Sequence, residues 1–203
     1  MVSRDFIFWE VDVQSDFVLP GGHLYVPAAE KRLPNIRRLT DAARQGKVFL
    51  VSSGDFHAPN DPEFKTFPPH CVKGTPGADL VPEALTSKVA RVENTEAAKL
   101  PQDLSQFQQI LLEKQTLSIF ETRHVDELVN RLGTRPEFVV FGVVTEYCVK
   151  FAAKGLLERG RRVAIVTDAI ETLKREDGDA TIADLQRMGA RLIKTDQALA
   201  ALG

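Results

Sequence analysis

Short apolar segments alternate with segments of helical periodicity along nearly the whole 203-residue chain. Residues 6–11 are rich in aromatic and β-branched side chains and too few for a buried helix, whereas apolar residues recur at helical spacing within 28–45. Strands are predicted at 6–11, 48–52, 88–92, 109–113, 138–144, 162–167 and 191–193, and helices at 28–45, 122–132, 145–159 and 177–188. This alternation predicts an α/β fold with a parallel sheet covered by helices on both faces.

Length and charge narrow the class of protein. A chain of 203 residues can bury one full core, so we expect a single domain over residues 1–203. The formal net charge of -2 gives no basic field for nucleic acid, which is therefore not an expected partner. No apolar run approaches the ~20 residues of a membrane span, and Arg4 and Asp5 precede the first strand in place of a signal-peptide core. We expect a cytoplasmic protein without a membrane partner.

The chain has two cysteines, Cys71 and Cys148, which are too few for the disulfide framework of a secreted domain. Both should be free thiols. Cys148 falls just after the strand at 138–144, in the first turn of the predicted helix, where unpaired amides and the helix dipole favour a thiolate. Cys71 lacks such surroundings in the sequence, so we assign it a structural role.

Three residues whose side chains can transfer protons or act as nucleophiles follow predicted strands: Asp12, Lys114 and Cys148. Each alone has an ordinary explanation as a turn residue, a solvated charge or a small core residue. Together they make a cysteine triad, in which the lysine cation lowers the thiol pKa and the aspartate accepts the thiol proton and returns it to a leaving amine. The amides of Cys148 and its neighbours are the expected donors to the oxyanion. The predicted chemistry is hydrolysis of an amide through Cys148.

A Pro-rich loop at 53–77, predicted to lack regular structure, carries a second set of residues. Asp55 and His57 are separated by one residue, and His70 follows thirteen residues later, with Glu63 between them as a candidate fourth ligand. Such donors suit zinc, iron or manganese. The alternative is that Asp-x-His is coincidental and that the Pro-Pro-His segment is only a rigid turn.

Four motifs in order resemble those of the isochorismatase-like cysteine hydrolases, and among them the nicotinamidases. They are VDVQSDF at 11–17, DFH at 55–57 with FPPHCVKGTPGA at 67–78, Lys114 with LSIF at 117–120, and GVVTEYCV at 142–149. The resemblance implies a Rossmann-like, three-layer fold with a mainly parallel six-stranded sheet. It also implies hydrolysis of nicotinamide to nicotinate and ammonia through a thioester.

The resemblance also assigns roles to single residues. Asp12, Lys114 and Cys148 match the triad, and Asp55, His57, Glu63 and His70 match the ligands of a divalent metal that contacts the pyridine nitrogen directly or through water. Phe17 matches the aromatic residue that packs on the substrate ring, and Phe67 stands where many members have Trp. Val144, Thr145 and Tyr147 are further pocket residues, with a packed core position as the alternative for Tyr147.

The family has a cis peptide before the Thr of this motif, which here implies the Val144–Thr145 bond. Members often form dimers or larger assemblies, so a homo-oligomer is compatible with the resemblance.

Two other functions compete with a nicotinamidase. A related cysteine amidohydrolase could act on another small amide or on a ureido substrate, although many such relatives lack the metal loop. A binding or scaffold protein that only kept the fold would be expected to have lost a member of the triad or the ligand set, and none is missing. The presence of Cys148 disfavours vinyl-ether cleavage by an isochorismatase, because those enzymes do not use a cysteine here.

Overall fold

The strands of the computed structural model, which describes residues 5–203, lie close to the predicted segments. They are β1 (Phe6–Val11), β2 (Phe49–Asp55), β3 (Val89–Val92), β4 (Gln109–Lys114), β5 (Glu137–Gly142), β6 (Arg162–Ile170) and β7 (Arg191–Ile193). All pair in parallel in one sheet of order β3-β4-β2-β1-β5-β6-β7. The predicted parallel α/β fold is confirmed. The prediction of a signal-free N-terminus rested partly on residues 1–4, which lie outside the described residues.

The number of strands inferred from the resemblance, six, is wrong. Within residues 5–203 the sheet has seven strands, because short segments at both edges pair along their whole length. Val89–Val92 pairs with β4 through four residues, and Arg191–Ile193 pairs with β6 through three. The apolar pattern of the sequence had indicated both of these edge strands.

The helices are α1 (Ser15–Val18), α2 (Leu33–Arg44), α3 (Val125–Leu132), α4 (Lys150–Glu158), α5 (Arg175–Arg187) and α6 (Thr195–Ala200). The helix predicted at 28–45 is divided into a 3₁₀ turn, Ala29–Arg32, and α2, whose second residue is Pro34. Proline fits the first turn of a helix, where its missing N–H costs nothing. The sequence did not predict α1 and α6, because four and six residues are too few to show a periodic apolar pattern.

Two apolar layers cover the sheet. Alternate residues of β1 divide between them, with Phe8 in the layer under α2 and Trp9 in the layer under α3 and α4. Successive strand side chains point to opposite faces, so a strand buried on both faces is mostly apolar, and in β1 the buried Glu10 is the exception. Among residues 5–203, none of the helices has the length and apolar character needed to cross a membrane.

The carboxyl ends of the central strands meet at one edge of the sheet. Asp12 follows β1 directly, while Asp55 and Lys114 are the last residues of β2 and β4 and pair in register. Cys148 follows β5 in the next helical turn. Parallel strands with helical crossovers open their binding sites at this edge. The fold therefore assembles residues that are far apart in sequence.

Candidate active site

Lys114 lies between the other two members of the predicted triad. Its Nζ is 2.9 Å from Asp12 Oδ2 and 3.4 Å from Cys148 Sγ, and it also donates to Asp55 Oδ1. The other carboxylate oxygen of Asp12 accepts a 2.9 Å hydrogen bond from Ser53 Oγ. All of these side chains are buried. The structure therefore brings Asp12, Lys114 and Cys148 together in a site withdrawn from solvent.

Burial and charge together raise the pKa values of all three triad residues, for different reasons. Burial alone would lower the pKa of Lys114, but Asp12, Asp55 and Cys148 outweigh it and raise this pKa well above its ordinary value. Burial raises the pKa of Asp12 against the opposing effect of Lys114. It also raises the pKa of Cys148 well above normal, although Lys114 favours the thiolate.

Lys114 lowers the thiol pKa as predicted, but burial, which the sequence did not indicate, outweighs it and raises the net pKa of Cys148. The resting site combines a lysine cation with a cysteine thiol, and a carboxylate oxygen of Asp12 lies within 4.8 Å of Cys148 Sγ. Such an arrangement suits transfer of the thiol proton to Asp12 as the thiol attacks.

The nucleophile lies in an irregular turn that precedes α4. Thr145–Val149 is a π-helical turn in which Tyr147 has non-helical dihedral angles, φ -121° and ψ -105°. The amides of Tyr147 and Val149 both donate to the carbonyl of Val144, at 3.1 Å each. The amides of Tyr147 and Val149 are thus already engaged, which disfavours them as the expected donors to an oxyanion. The amide of Cys148 itself is the better candidate donor.

The cis peptide bond also differs from the prediction. It joins Val143 to Val144 and not Val144 to Thr145. The backbone turns out of the sheet at Gly142, which has a positive φ of 118°, and the cis bond falls in this turn. Thr145 already begins the helical turn, where its amide donates to Glu171 O at 2.8 Å.

Asp55, His57 and His70 form a compact group of candidate metal ligands. One ligand atom from each lies within 4.8 Å of the others, and His57 Nε2 is 3.9 Å from Asp55 Oδ1. His57 is fully buried, and within residues 5–203 its Nε2 has no hydrogen-bond partner, whereas its Nδ1 lies 3.1 Å from Asp61 Oδ2. His70 Nδ1 lies 2.8 Å from Pro68 O, which suits a tautomer whose Nε2 is free to bind a metal. A buried imidazole nitrogen without a partner is costly, so the free Nε2 of His57, together with Asp55 and His70, fits a divalent cation.

Glu63 borders this group without belonging to it. Its Oε1 lies 3.9 Å from His70 Nε2, and it occupies a 3₁₀ turn, Pro62–Lys65, where Asp61 Oδ1 accepts a bond from its amide. Burial raises the pKa of Glu63. Asp61 Oδ2 also lies 3.1 Å from His57 Nδ1, which makes Asp61 a neighbour of the ligand group that the sequence reasoning missed.

Aromatic rings border the candidate ligands. The ring of Phe17 is 5.4 Å from that of His70, and Phe67 is 6.4 Å from His70 and 6.1 Å from Tyr147. Phe64 was not predicted, yet its ring lies 5.4 Å from His57 and 5.8 Å from His70. The predicted pocket aromatics thus connect the loop to the nucleophile turn.

Val144 and Thr145, the two other predicted pocket residues, differ in the groups they can offer a substrate. Val144 is buried and offers an apolar side chain together with the carbonyl that holds Tyr147 and Val149. Thr145 Oγ1 donates to Glu171 O at 2.7 Å, so its hydroxyl proton is already engaged.

Gln14 holds the backbone of one candidate ligand and was also missed. Its Nε2 donates to Asp55 O and Ala78 O at 2.6 and 2.7 Å, and its Oε1 accepts from the Asp55 amide at 2.7 Å. The only signal in the sequence was its place in the VDVQSDF motif.

Cys71 is a free, buried thiol whose pKa is raised by burial. Its amide donates to Asp16 Oδ2 at 2.7 Å, which fixes the backbone next to His70. These contacts agree with the predicted structural role.

Comparison with known proteins gives one consistent family. The isochorismatase domain matches residues 9–93 and 84–197. The chain is 27% identical over 201 residues to the nicotinamidase of Escherichia coli K12, covering 89% of each protein. It is 32% identical over 193 residues to the nicotinamidase/pyrazinamidase of Mycobacterium tuberculosis H37Rv, covering 88% of this chain and 91% of that protein. The crystal structure of the pyrazinamidase of Pyrococcus horikoshii in complex with zinc is 25% identical, with a TM-score of 0.75 over 94% of this chain and 99% of the other.

Proposed function

The chain belongs to the isochorismatase domain family, and we propose that within this family it is a nicotinamidase, which hydrolyses nicotinamide to nicotinate and ammonia. The observation that carries the proposal is that the cysteine site and the metal-ligand group adjoin. Asp55 belongs to both, because it offers a carboxylate oxygen within 4.8 Å of ligand atoms of His57 and His70 and a carboxylate oxygen within 4.8 Å of atoms of Asp12 and Cys148. A pyridine carboxamide can span both sites, with its amide at Cys148 and its ring toward the metal ligands.

In the first half of the reaction, Cys148 attacks the carboxamide carbon while its thiol proton passes to Asp12. A carbon–sulfur bond forms, and the carbonyl electrons move to oxygen, where the amide of Cys148 is the candidate donor. When the oxyanion collapses, the carbon–nitrogen bond breaks, and Asp12 returns the proton to the leaving nitrogen as ammonia forms. Lys114 remains a cation beside both residues and stabilises the thiolate that develops.

The second half releases the acid. A water molecule attacks the thioester carbon as Asp12 accepts its proton, and collapse of the second oxyanion breaks the carbon–sulfur bond. The sulfur leaves as thiolate and recovers its proton from Asp12, which restores the thiol and the carboxylate. Burial of all three residues keeps these proton transfers within the site.

Asp55, His57 and His70 are the proposed ligands of a divalent metal, with zinc favoured over iron or manganese and Glu63 as a further candidate. When bound, the metal supplies a Lewis-acidic contact for the pyridine nitrogen. Phe17, Phe67 and Tyr147 are proposed to hold the ring by apolar contact, since aromatic side chains favour stacked or edge-to-face arrangements.

A related cysteine amidohydrolase acting on another small amide or ureido substrate is the second candidate, because the triad chemistry would be the same. We also expect residues 1–203 to form one domain, because strands from β1 to β7 share one sheet. A cytoplasmic location and a homo-oligomeric state stay predictions.

Coupled measurement of ammonia release tests the proposal, with zinc-loaded protein, nicotinamide as substrate and Cys148→Ala as the inactive variant. We expect the wild type to release one ammonia for each nicotinate formed, and the variant to release none. Cys71→Ala is the matched cysteine control and should retain activity. Turnover of another amide without turnover of nicotinamide would contradict the proposal and favour the second candidate.

A further inference from the structure

Glu146 lies two residues before the nucleophile, and its carboxylate binds a separate segment of the chain. Its Oε1 accepts hydrogen bonds from the amides of Leu173 and Lys174, both at 2.9 Å. Its Oε2 accepts a 2.6 Å bond from Thr172 Oγ1. The side chain thus has three donors from three consecutive residues.

This segment leads directly into α5, because Lys174 is the residue before its first turn. A carboxylate at the start of a helix is stabilised by the unpaired amides and by the positive end of the dipole. The neighbouring Thr145 reinforces the contact, since its amide and hydroxyl donate to Glu171 O at 2.8 and 2.7 Å. Arg32 in turn holds the Glu171 carboxylate at 2.9 Å.

The nucleophile turn depends on such external contacts because it is irregular. Tyr147 has non-helical dihedral angles, and the amides of Tyr147 and Val149 share one carbonyl acceptor. The internal hydrogen bonds of this turn therefore do not define a regular helix that would fix the direction of Cys148. Yet Cys148 Sγ must stay near Lys114 Nζ, now 3.4 Å away, for the triad to work.

We infer that Glu146 is a positioning residue, which anchors the nucleophile turn to the segment before α5 and so holds Cys148 against Lys114 and Asp12. The inference rests on the proposed function for its catalytic consequence. Glu146 itself does not touch the reacting atoms in this account. Its loss should therefore slow the chemical step and leave binding of the pyridine ring nearly unchanged.

The test compares Glu146→Ala, Glu146→Gln and a control, Glu158→Ala, in zinc-loaded protein with nicotinamide. Displacement of a reacting group by ~1 Å can cost about 100-fold, so we expect kcat of Glu146→Ala to fall about 100-fold, with KM changing less than about threefold. Glutamine keeps an acceptor for two amides and a donor toward Thr172 Oγ1, so Glu146→Gln should return kcat to within about tenfold of wild type. Glu158 makes a 3.6 Å surface ion pair with Lys154, which contributes little, and its variant should match wild type.

A second measurement follows alkylation of Cys148 by iodoacetamide, located by peptide mass spectrometry. It needs no nicotinamide, so it separates failure of this inference from failure of the proposed function. The alkylation rate of Cys148 should differ from wild type by at least about fivefold in Glu146→Ala, since thiol reactivity follows its surroundings, and return toward wild type in Glu146→Gln.

Unchanged kcat and alkylation in Glu146→Ala would overturn the inference, as would a rise in KM at constant kcat or no recovery in Glu146→Gln. If Glu146→Ala does not fold, the Thr172→Val variant tests the inference in its place. It removes one donor at constant shape, and we expect kcat to fall about threefold to tenfold, in keeping with one lost hydrogen bond. Wild-type kcat in Thr172→Val and in Glu146→Gln together would also overturn the inference.

Discussion

Replacement of Asp12 by Asn separates proton transfer from the shape of the site. The asparagine carbonyl can still accept the bond that Ser53 Oγ now donates at 2.9 Å, but the amide cannot take the proton of Cys148. General acid–base catalysis contributes about 10²- to 10⁴-fold, which at about 1.36 kcal/mol per tenfold is roughly 2.7–5.4 kcal/mol of barrier. Because burial raises the pKa of Cys148, unassisted ionisation is rare, and we expect a loss in the upper half, about 10³- to 10⁴-fold in kcat.

Asp12→Asn should cost less stability than a change that leaves the buried Lys114 cation without any carboxylate partner. Lys114 loses the ion pair at 2.9 Å but keeps Asp55, so about 1–3 kcal/mol is expected, and the variant should remain folded. The assay is steady-state ammonia release, with circular dichroism to verify folding and Ser53→Ala as control. Ser53→Ala removes only a hydrogen bond to the base and should cost about tenfold or less. A folded Asp12→Asn protein with kcat within tenfold of wild type would refute the assigned role.

Three further predictions concern the metal and the core. His57→Ala removes a proposed ligand, so zinc affinity should fall by more than the roughly 10- to 100-fold that is typical when a residue supporting a ligand is lost. Competition with a chromogenic chelator measures this affinity, and a value equal to wild type would exclude His57 as a ligand. Gln14→Ala should lower it about 10- to 100-fold because Asp55 loses its backbone support, whereas the neighbouring Ser15→Ala should have no effect; equal affinities in the two variants would disprove the support. Burial raises the pKa of Glu10 from 4.5 to about 8. Between these two pH values the folded state keeps a proton that the unfolded state has lost. The free energy of unfolding should therefore fall as pH rises from 4.5 to about 8, by at most about 1.4 kcal/mol per pH unit. Glu10→Gln should remove this fall in urea unfolding at pH 5 and 7.5, and an unchanged slope would contradict it.

The strand ends could be predicted from the sequence because the rule that places them is local. An apolar run that stops at Asp12 or Lys114 defines the end of a strand, and parallel pairing brings such ends together. The pairing register of β2 and β4 could not be predicted from the spacing of residues in the sequence. It places Asp55 opposite Lys114, so that Asp55 reaches both the lysine cation and the other candidate metal ligands. The short helices escaped prediction for lack of a pattern.

Contacts that hold the site in place could not be predicted, because they join residues far apart in sequence. Gln14 bonds to Asp55, 41 residues away, and Glu146 bonds to residues 26 to 28 positions away. Although Lys114 lowers the pKa of Cys148 as expected, the net direction of the Cys148 pKa shift escaped prediction for a similar reason. Its sequence neighbourhood suggested a stabilised thiolate, whereas the direction is set by burial, which depends on the whole packed site.

The central claim is that nicotinamide is cleaved through a thioester on Cys148, and hydroxylamine trapping tests it most directly. A thioester partitions between water and added hydroxylamine, so zinc-loaded wild-type protein should form nicotinate and nicotinohydroxamate in a ratio that shifts toward the hydroxamate as hydroxylamine increases. Cys148→Ala should form neither product. Formation of nicotinate with no hydroxamate at any hydroxylamine concentration, or turnover by Cys148→Ala, would contradict the account.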